Sequence, residues 1–326
     1  CEGKSMKLIM ENWKKFLNER VKISDQEADA FGKALGKAFE GGPVAVHALM
    51  NTPMGKTIKF RKFLGVTGAR HLDATAGDDV VSVTKGDMPV ADLIPTQRFI
   101  DLNQSVGFPL GSADNLLRDI TNKKGFGPIT VSGKHIIDGH HRWSGIFSIA
   151  PDATISVVNL DFQGENVADK LAAAQIAVGA VDPRPQDDHP SKSGKADANI
   201  LGASSKEIKA ILDTYQGQQL DKKAPGPILG DEMLQQIATD PKYQPILDWA
   251  GYDPQGGQAD LAQLAEAIKA KVALNLSKLN KPPAGSPPRE DMPQMDHSTI
   301  GGSKGLKKIK SRIAKGDINL APPFNK

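Results

Sequence analysis

The reading of the fold turns on PITVSGKHIIDGHHRWSGIFSI, residues 128–149. Ile129 to Val131 and His135 to Ile137 are short β-rich runs on either side of Ser132-Gly133, which is a hairpin signal. The second run ends at Asp138-Gly139 and passes into HHRWSGIFSIA, a segment of helical length that Pro151 closes. Thr154 to Leu160 (TISVVNL) is β-rich again. Strand, tight turn, helix and strand in close succession predict an α/β unit in which a helix starts at the tip of a strand.

The chemistry gathers at the same turn, where Asp138, Gly139, His140, His141 and Arg142 are consecutive. Glycine there lets a ligand approach the backbone, and the first free N–H groups of the helix, with its dipole, favour an anion. Arg142, at the start of the helix, can add a bidentate charge-assisted contact to phosphate oxygens. His140 and His141 titrate near neutral pH and can serve as acid or base, while Asp138 can orient an imidazole or hold a cation. The residues alone therefore describe an anion site, for phosphate. The same five also suit a plain turn with an N-cap, and adjacent helical histidines point in different directions, so at most one is expected to face a given ligand.

Upstream, VVSVTKGDMPVADLIP (residues 80–95) predicts a strand, a turn at Gly86-Asp87 and a short segment ending at Pro95. A helix follows over Ser112 to Thr121, stopped by Gly125, Gly127 and Pro128. Nearer the start, apolar spacing predicts helices over Met6 to Arg20 and Asp25 to Phe39, the second capped by Ser24 and stopped by Gly41-Gly42-Pro43. Residues 51–77, with Lys56, Lys59, Arg61, Lys62 and Arg70, read as a basic connector. Beyond Phe162, helices are expected over Glu165 to Val178, Ser204 to Gln216, Asp231 to Thr239, Pro245 to Ala250 and Ala259 to Leu276, with a polar linker near 181–200. The segment after Asn280 is proline-rich and reads as extended, able to dock on the core or on a partner. The tail then sets seven basic residues against Asp317, a net of +6 that can add a salt-sensitive grip on nucleic acid.

Composition bounds the rest. At 326 residues the chain has room for more than one unit, drawn here as a helical segment 1–77, a core 78–163, a helical region 164–279 and a tail 280–326. With 41 basic against 38 acidic residues the net charge of +3 is too small for a polycation wrapped on nucleic acid. The lone Cys1 excludes an intramolecular disulfide and a cysteine zinc cluster. The sequence has no apolar run of membrane-spanning length and its opening lacks a secretory pattern, so the expectation is a cytoplasmic protein with no membrane association.

The run over 128–149, with VVSVTKGDMPVADLIPTQ before it, resembles the core of the ParB/sulfiredoxin superfamily over roughly Asp78 to Phe162. In that family a Gly-x-x-Arg turn follows a β-hairpin, and the ParB-like nuclease domains carry it as Asp-Gly-His-His-Arg. The resemblance implies an α+β chain with a small α/β core and mainly helical flanks. It also implies nucleotide or DNA phosphates over the helix N-terminus, with activities from CTP or ATP hydrolysis through phosphoryl transfer to DNA cleavage. Gly139 and Arg142 match the phosphate-binding turn, and Asp138, His140 and His141 match the Asp-Gly-His-His-Arg variant. Two departures narrow it. The position of the sulfiredoxin cysteine holds His140, which argues against peroxiredoxin repair, and Asp169 stands where partition proteins have a motif arginine, which argues against a chromosome clamp. The opening MKLIMENWKKFLNE is similar to starts found in tailed-phage proteins, which implies a viral origin and a place in the host cytoplasm or the virion.

Other candidates carry less. Gln97, Arg98 and Asp101 occupy a place where the family puts substrate-facing groups, so Arg98 joins Gly139 and Arg142 as a phosphate-binding expectation. Lys123 and Lys124 suit helix C-terminal charges, Asp161 an exposed strand end, and Trp13, Trp143, Tyr243 and Trp249 the core. His47, His71, His135, His189 and His297 have no metal-ligand spacing. The expected function is phosphate-ester chemistry, nuclease or nucleotide hydrolysis or transfer, with Asp138, His140 and His141 catalytic. Mg²⁺ or another divalent cation and a nucleotide (CTP or ATP) are the expected ligands, and phage or host proteins are expected to meet the C-terminal region. The alternative is a non-catalytic nucleic-acid-binding or virion-associated protein.

Overall fold

The computed structural model describes residues 24–57, 82–121, 126–161, 166–181, 199–214, 228–254 and 259–293, together with Ser311. Four strands form one mixed sheet: β1 (Ser82–Pro89), β2 (Phe126–Ser132), β3 (His135–Asp138) and β4 (Thr154–Asp161), in the order β1-β4-β2-β3. β4 is central, antiparallel to β1 from Ser82↔Asp161 to Pro89↔Thr154 and parallel to β2. β2 and β3 are the expected hairpin, turning at Gly133 with φ 60°.

Alternation along β4 sorts its side chains to two faces. Ile155 and Val157 enter one apolar cluster, Val158 and Leu160 the other. The first cluster is covered by α5 (Ala113–Thr121), α6 (His140–Ile149), α8 (Ser205–Thr214), α9 (Asp231–Thr239), α10 (Gln244–Ala250) and α11 (Leu261–Leu276). The second is covered by α1 (Asp25–Glu40), α2 (Gly42–Met50) and α7 (Val167–Val181). Short helices α3 (Pro53–Lys56) and α4 (Leu102–Val106) complete the set. The protein is thus a mixed α/β fold, eleven α-helices and a four-stranded sheet among the described residues, with helices on both faces. Helices from both sides of residue 163 share the first cluster, so the helical region after the sheet buries its apolar stripes on the same core as α6. Among the described residues no helix is long and apolar enough to cross a membrane.

Local chemistry explains most element ends. Ser24 and Glu27 form a reciprocal capping box on α1. Trp143 is fully buried on α6, and its Nε1–H donates to the Val90 carbonyl at 2.8 Å, as a core tryptophan must. Tyr243 is buried with its hydroxyl on Asp114, and Trp249 donates to the Ile149 carbonyl.

One expectation is corrected and two are extended. Gly86-Asp87 is not a turn, because the edge strand β1 runs straight through it, paired along its whole length with β4, and Ser156 Oγ donates to Asp87. Gly41-Gly42-Pro43 ends α1 but also starts α2: Gly42 at φ 76° breaks the axis, and proline is tolerated in a first helical turn. The segment after Asn280 docks on the core and includes a 3₁₀ turn at Arg289–Asp291. The expected helix over Met6 to Arg20, the connector from 58 to 77, most of the linker near 181–200, and the tail from 294 apart from Ser311 lie outside the described residues. So do Trp13, Lys123, Lys124, His71, His189 and His297.

Candidate phosphate site at the β3–α6 turn

Gly139 is required twice over. Its φ of 102° is left-handed, and a Cβ there would stand 2.6 Å from Ile129 Cγ2 on β2. As the N-cap of α6 it offers no side chain, so no side-chain bond caps the first turn, and the first N–H with a helical partner is that of Trp143, bonded to the Gly139 carbonyl at 2.9 Å. Arg142 is exposed beside this turn and its Nη1 donates to the Pro128 carbonyl at 2.8 Å, which aims the guanidinium along the entry to β2.

The two histidines face one loop. The Thr96 N–H donates to His140 Nε2 at 3.0 Å, and the Asp101 N–H donates to His141 Nε2 at 3.2 Å. Both imidazoles therefore accept at Nε2 and carry their proton on Nδ1. The loop curls back over the helix end and meets both rings. His140 is only 4 % exposed, and burial, with the Arg289 charge adding to it, pushes it down to about 3. His141 is held well below the usual imidazole range by burial first, then by Arg289 and by His140. Neither ring is a cation near neutral pH.

The loop between Ile94 and Asp101 is stitched down along its length. Ile94 bridges to His135 on β3, Thr96 Oγ1 donates to the Ile136 carbonyl, and Gln97 Nε2 donates to the Phe99 carbonyl at 2.7 Å. Asn199 receives the Ile100 N–H at 3.0 Å and donates to the Arg98 carbonyl. Asp101 caps α4 through Gln104 N–H, and α4 sits so close on α6 that a Cβ at Gly145 would lie 2.6 Å from the Ser105 carbonyl oxygen. Ser105 and Ser144 hydroxyls meet at 2.6 Å in the same seam.

Of the expected site residues, Gly139, His140, His141 and Arg142 share the helix end and Asp138 closes β3 directly before it. Arg98 is exposed on the stitched loop, its N–H bonded to the Pro287 carbonyl at 3.0 Å. Asp161 is exposed at the end of β4, as expected of a strand-end carboxylate. Sequence reasoning missed Thr96 and Arg289. Thr96 lay in the quoted Leu-Ile-Pro-Thr-Gln run but has no chemistry-bearing spacing to any histidine. Arg289 is far from the turn in sequence and only docking brings it near. Among the described residues no group of three or more His, Cys, Asp or Glu side chains is arranged to hold a metal ion, so the expected divalent cation has no assembled protein ligand set there. Comparison with family models, curated proteins and solved structures found no match.

Proposed function

We propose that this protein binds the phosphate groups of a nucleotide or of nucleic acid at the N-terminus of α6. The observation that carries the reading is the uncapped first turn of α6 behind Gly139, flanked by the exposed Arg142. Backbone N–H groups and the helix dipole attract an anion there, and the guanidinium adds a directional pair of donors. The resemblance to the ParB/sulfiredoxin turn, carried by Gly139 and Arg142, points the same way.

A phosphate site can hold or cleave, and the geometry favours holding. Nε2 of each histidine already accepts a backbone N–H, and burial keeps both rings neutral, so neither is poised near pH 7 to take a proton through that nitrogen. The histidines act instead as braces that fix the Thr96–Asp101 loop beside the helix end. Phosphate-ester chemistry assisted by Asp138 and a divalent cation is the second reading, supported by the place of that carboxylate at the strand tip.

The test is equilibrium binding of ATP, CTP and single- and double-stranded oligonucleotides to the wild type and to Arg142→Ala, with product formation followed in Mg²⁺ and Mn²⁺. Loss of one charge-assisted contact weakens binding about tenfold or more, and the affinity falls with salt. No binding to any probe, or equal binding by Arg142→Ala, refutes the phosphate site. Turnover abolished by His141→Ala moves the conclusion to an enzyme.

A further inference from the structure

The sheet order β1-β4-β2-β3 leaves β1 paired on one side, and among the described residues no strand or bridge meets its other side. The far edge of the sheet is closed by contrast. Ile94 bridges to His135 beside β3, its N–H donating to the Lys134 carbonyl and its carbonyl accepting the Ile136 N–H, both at 2.9 Å. β1 runs for eight residues, of which Thr84, Lys85, Gly86, Asp87 and Pro89 are exposed. Val83 and Met88 are half-buried, Val83 at the rim of the second apolar cluster and Met88 at the rim of the first. A row of backbone donors and acceptors of this length is a template for a further strand.

The side chains of β1 select that strand. Val83, Lys85 and Asp87 share one face, opposite Leu160, Val158 and Ser156 of β4, and Thr84, Gly86 and Met88 share the other. Ser156 Oγ donates to Asp87 at 2.9 Å, which leaves the carboxylate its charge. A lysine on an edge by itself deters pairing with a copy. Here an acid stands two residues on, so a two-fold axis through Gly86 sets Lys85 of each copy opposite Asp87 of the other. The same register puts Thr84 opposite Met88 and Val83 opposite Pro89, which gives each half-buried apolar side chain a neighbour on its own face. Sliding one strand by two residues, the next step that keeps the faces matched, brings Lys85 against Lys85 or Asp87 against Asp87. Like charges directly opposite are destabilising, so the pattern fixes one register. We propose that β1 pairs antiparallel with β1 of a second copy of this chain, joining two four-stranded sheets into one of eight strands.

The experiment is sedimentation equilibrium of the wild type, Lys85→Asp, Asp87→Lys, an equal mixture of these two variants, and the double variant that carries both changes. Circular dichroism checks that each protein folds. The wild type is a dimer. Either single change turns both cross-pairs into like pairs and weakens the dimer about tenfold or more. The mixture and the double variant each restore opposite charges across the axis and regain the dimer. Disulfide trapping reads the register independently, in a Cys1→Ser background that removes the chain's own thiol. A Cβ at Gly86 meets nothing within 4 Å, so Gly86→Cys is accommodated, and its two copies face each other with Cα atoms about 5 Å apart, within reach of a disulfide. Thr84→Cys puts its copies about 14 Å apart and does not link. A monomeric wild type, or a dimer indifferent to both charge reversals, overturns the pairing of β1 with its copy. Single variants that lose the dimer with no recovery in the mixture or the double variant overturn the register, as do equal linking at positions 84 and 86 and no link at 86.

Discussion

Acidification should unfold this protein through its buried histidines, and His140 lets the size of the effect be worked out. Its folded-state value of about 3 lies below the ordinary 6.5 because burial opposes the charged ring. Between those two values the unfolded chain binds a proton that the folded chain refuses, so stability is full above about pH 6.5 and is lost as pH falls toward 3. At about pH 5 the loss from His140 alone is about 2 kcal/mol, one and a half units at 1.36 kcal/mol each. His141 is depressed in the same direction and adds to the loss. That is a large fraction of a stability of about 5–15 kcal/mol. The assay is urea unfolding followed by circular dichroism at about pH 7.5 and about pH 5 for the wild type and His140→Gln. Glutamine keeps an oxygen that can accept the Thr96 N–H but takes up no proton. Whatever its absolute stability, the drop between the two pH values should be smaller by about 2 kcal/mol than in the wild type. An identical drop in both proteins refutes the account of His140 as a buried neutral acceptor.

Other outcomes follow from the same geometry. Gly139→Ala combines left-handed strain with a 2.6 Å clash against Ile129, and urea denaturation should show a loss of about 3 kcal/mol. Trp143→Phe removes the bond to the Val90 carbonyl and leaves a void in the core, which should cost about 2 kcal/mol in the same assay. Asp291→Asn weakens the tie of residues 280–293 to His47, so trypsin should cut after Arg289 faster while the global unfolding midpoint moves little; an unchanged cleavage rate would show that His47 does not hold this segment.

Much of the fold was legible because the signals are local. The hairpin at Ser132-Gly133, the helix that Gly139 opens and Pro151 closes, and the helix over Asp231–Thr239 each follow from turn chemistry or apolar spacing over a few residues. The misreading arose where tertiary pairing overrode a local cue. Gly86-Asp87 has turn residues, yet β4 supplies a full ladder of partners for β1, and that outweighs the preference. Gly41-Gly42-Pro43 stops α1 as its residues indicate, and the helix it also begins was not legible locally, because α2 forms by burying its apolar face on α7.

The candidate site divides along the same line. Asp138 to Arg142 were recognisable as one candidate turn because their chemistry depends on adjacency, and adjacency is written in the chain. That both histidines end up neutral and braced to Thr96 and Asp101 depends on a loop some forty residues upstream folding over the helix end, as the sequence separations record. The place of Arg289 likewise depends on residues 287–291 meeting Arg98, Gln175 and His47 at once. Burial and long-range contact, which set the protonation state and the charge of the site, are properties of the packed molecule, since desolvation exists only after the surrounding elements have assembled.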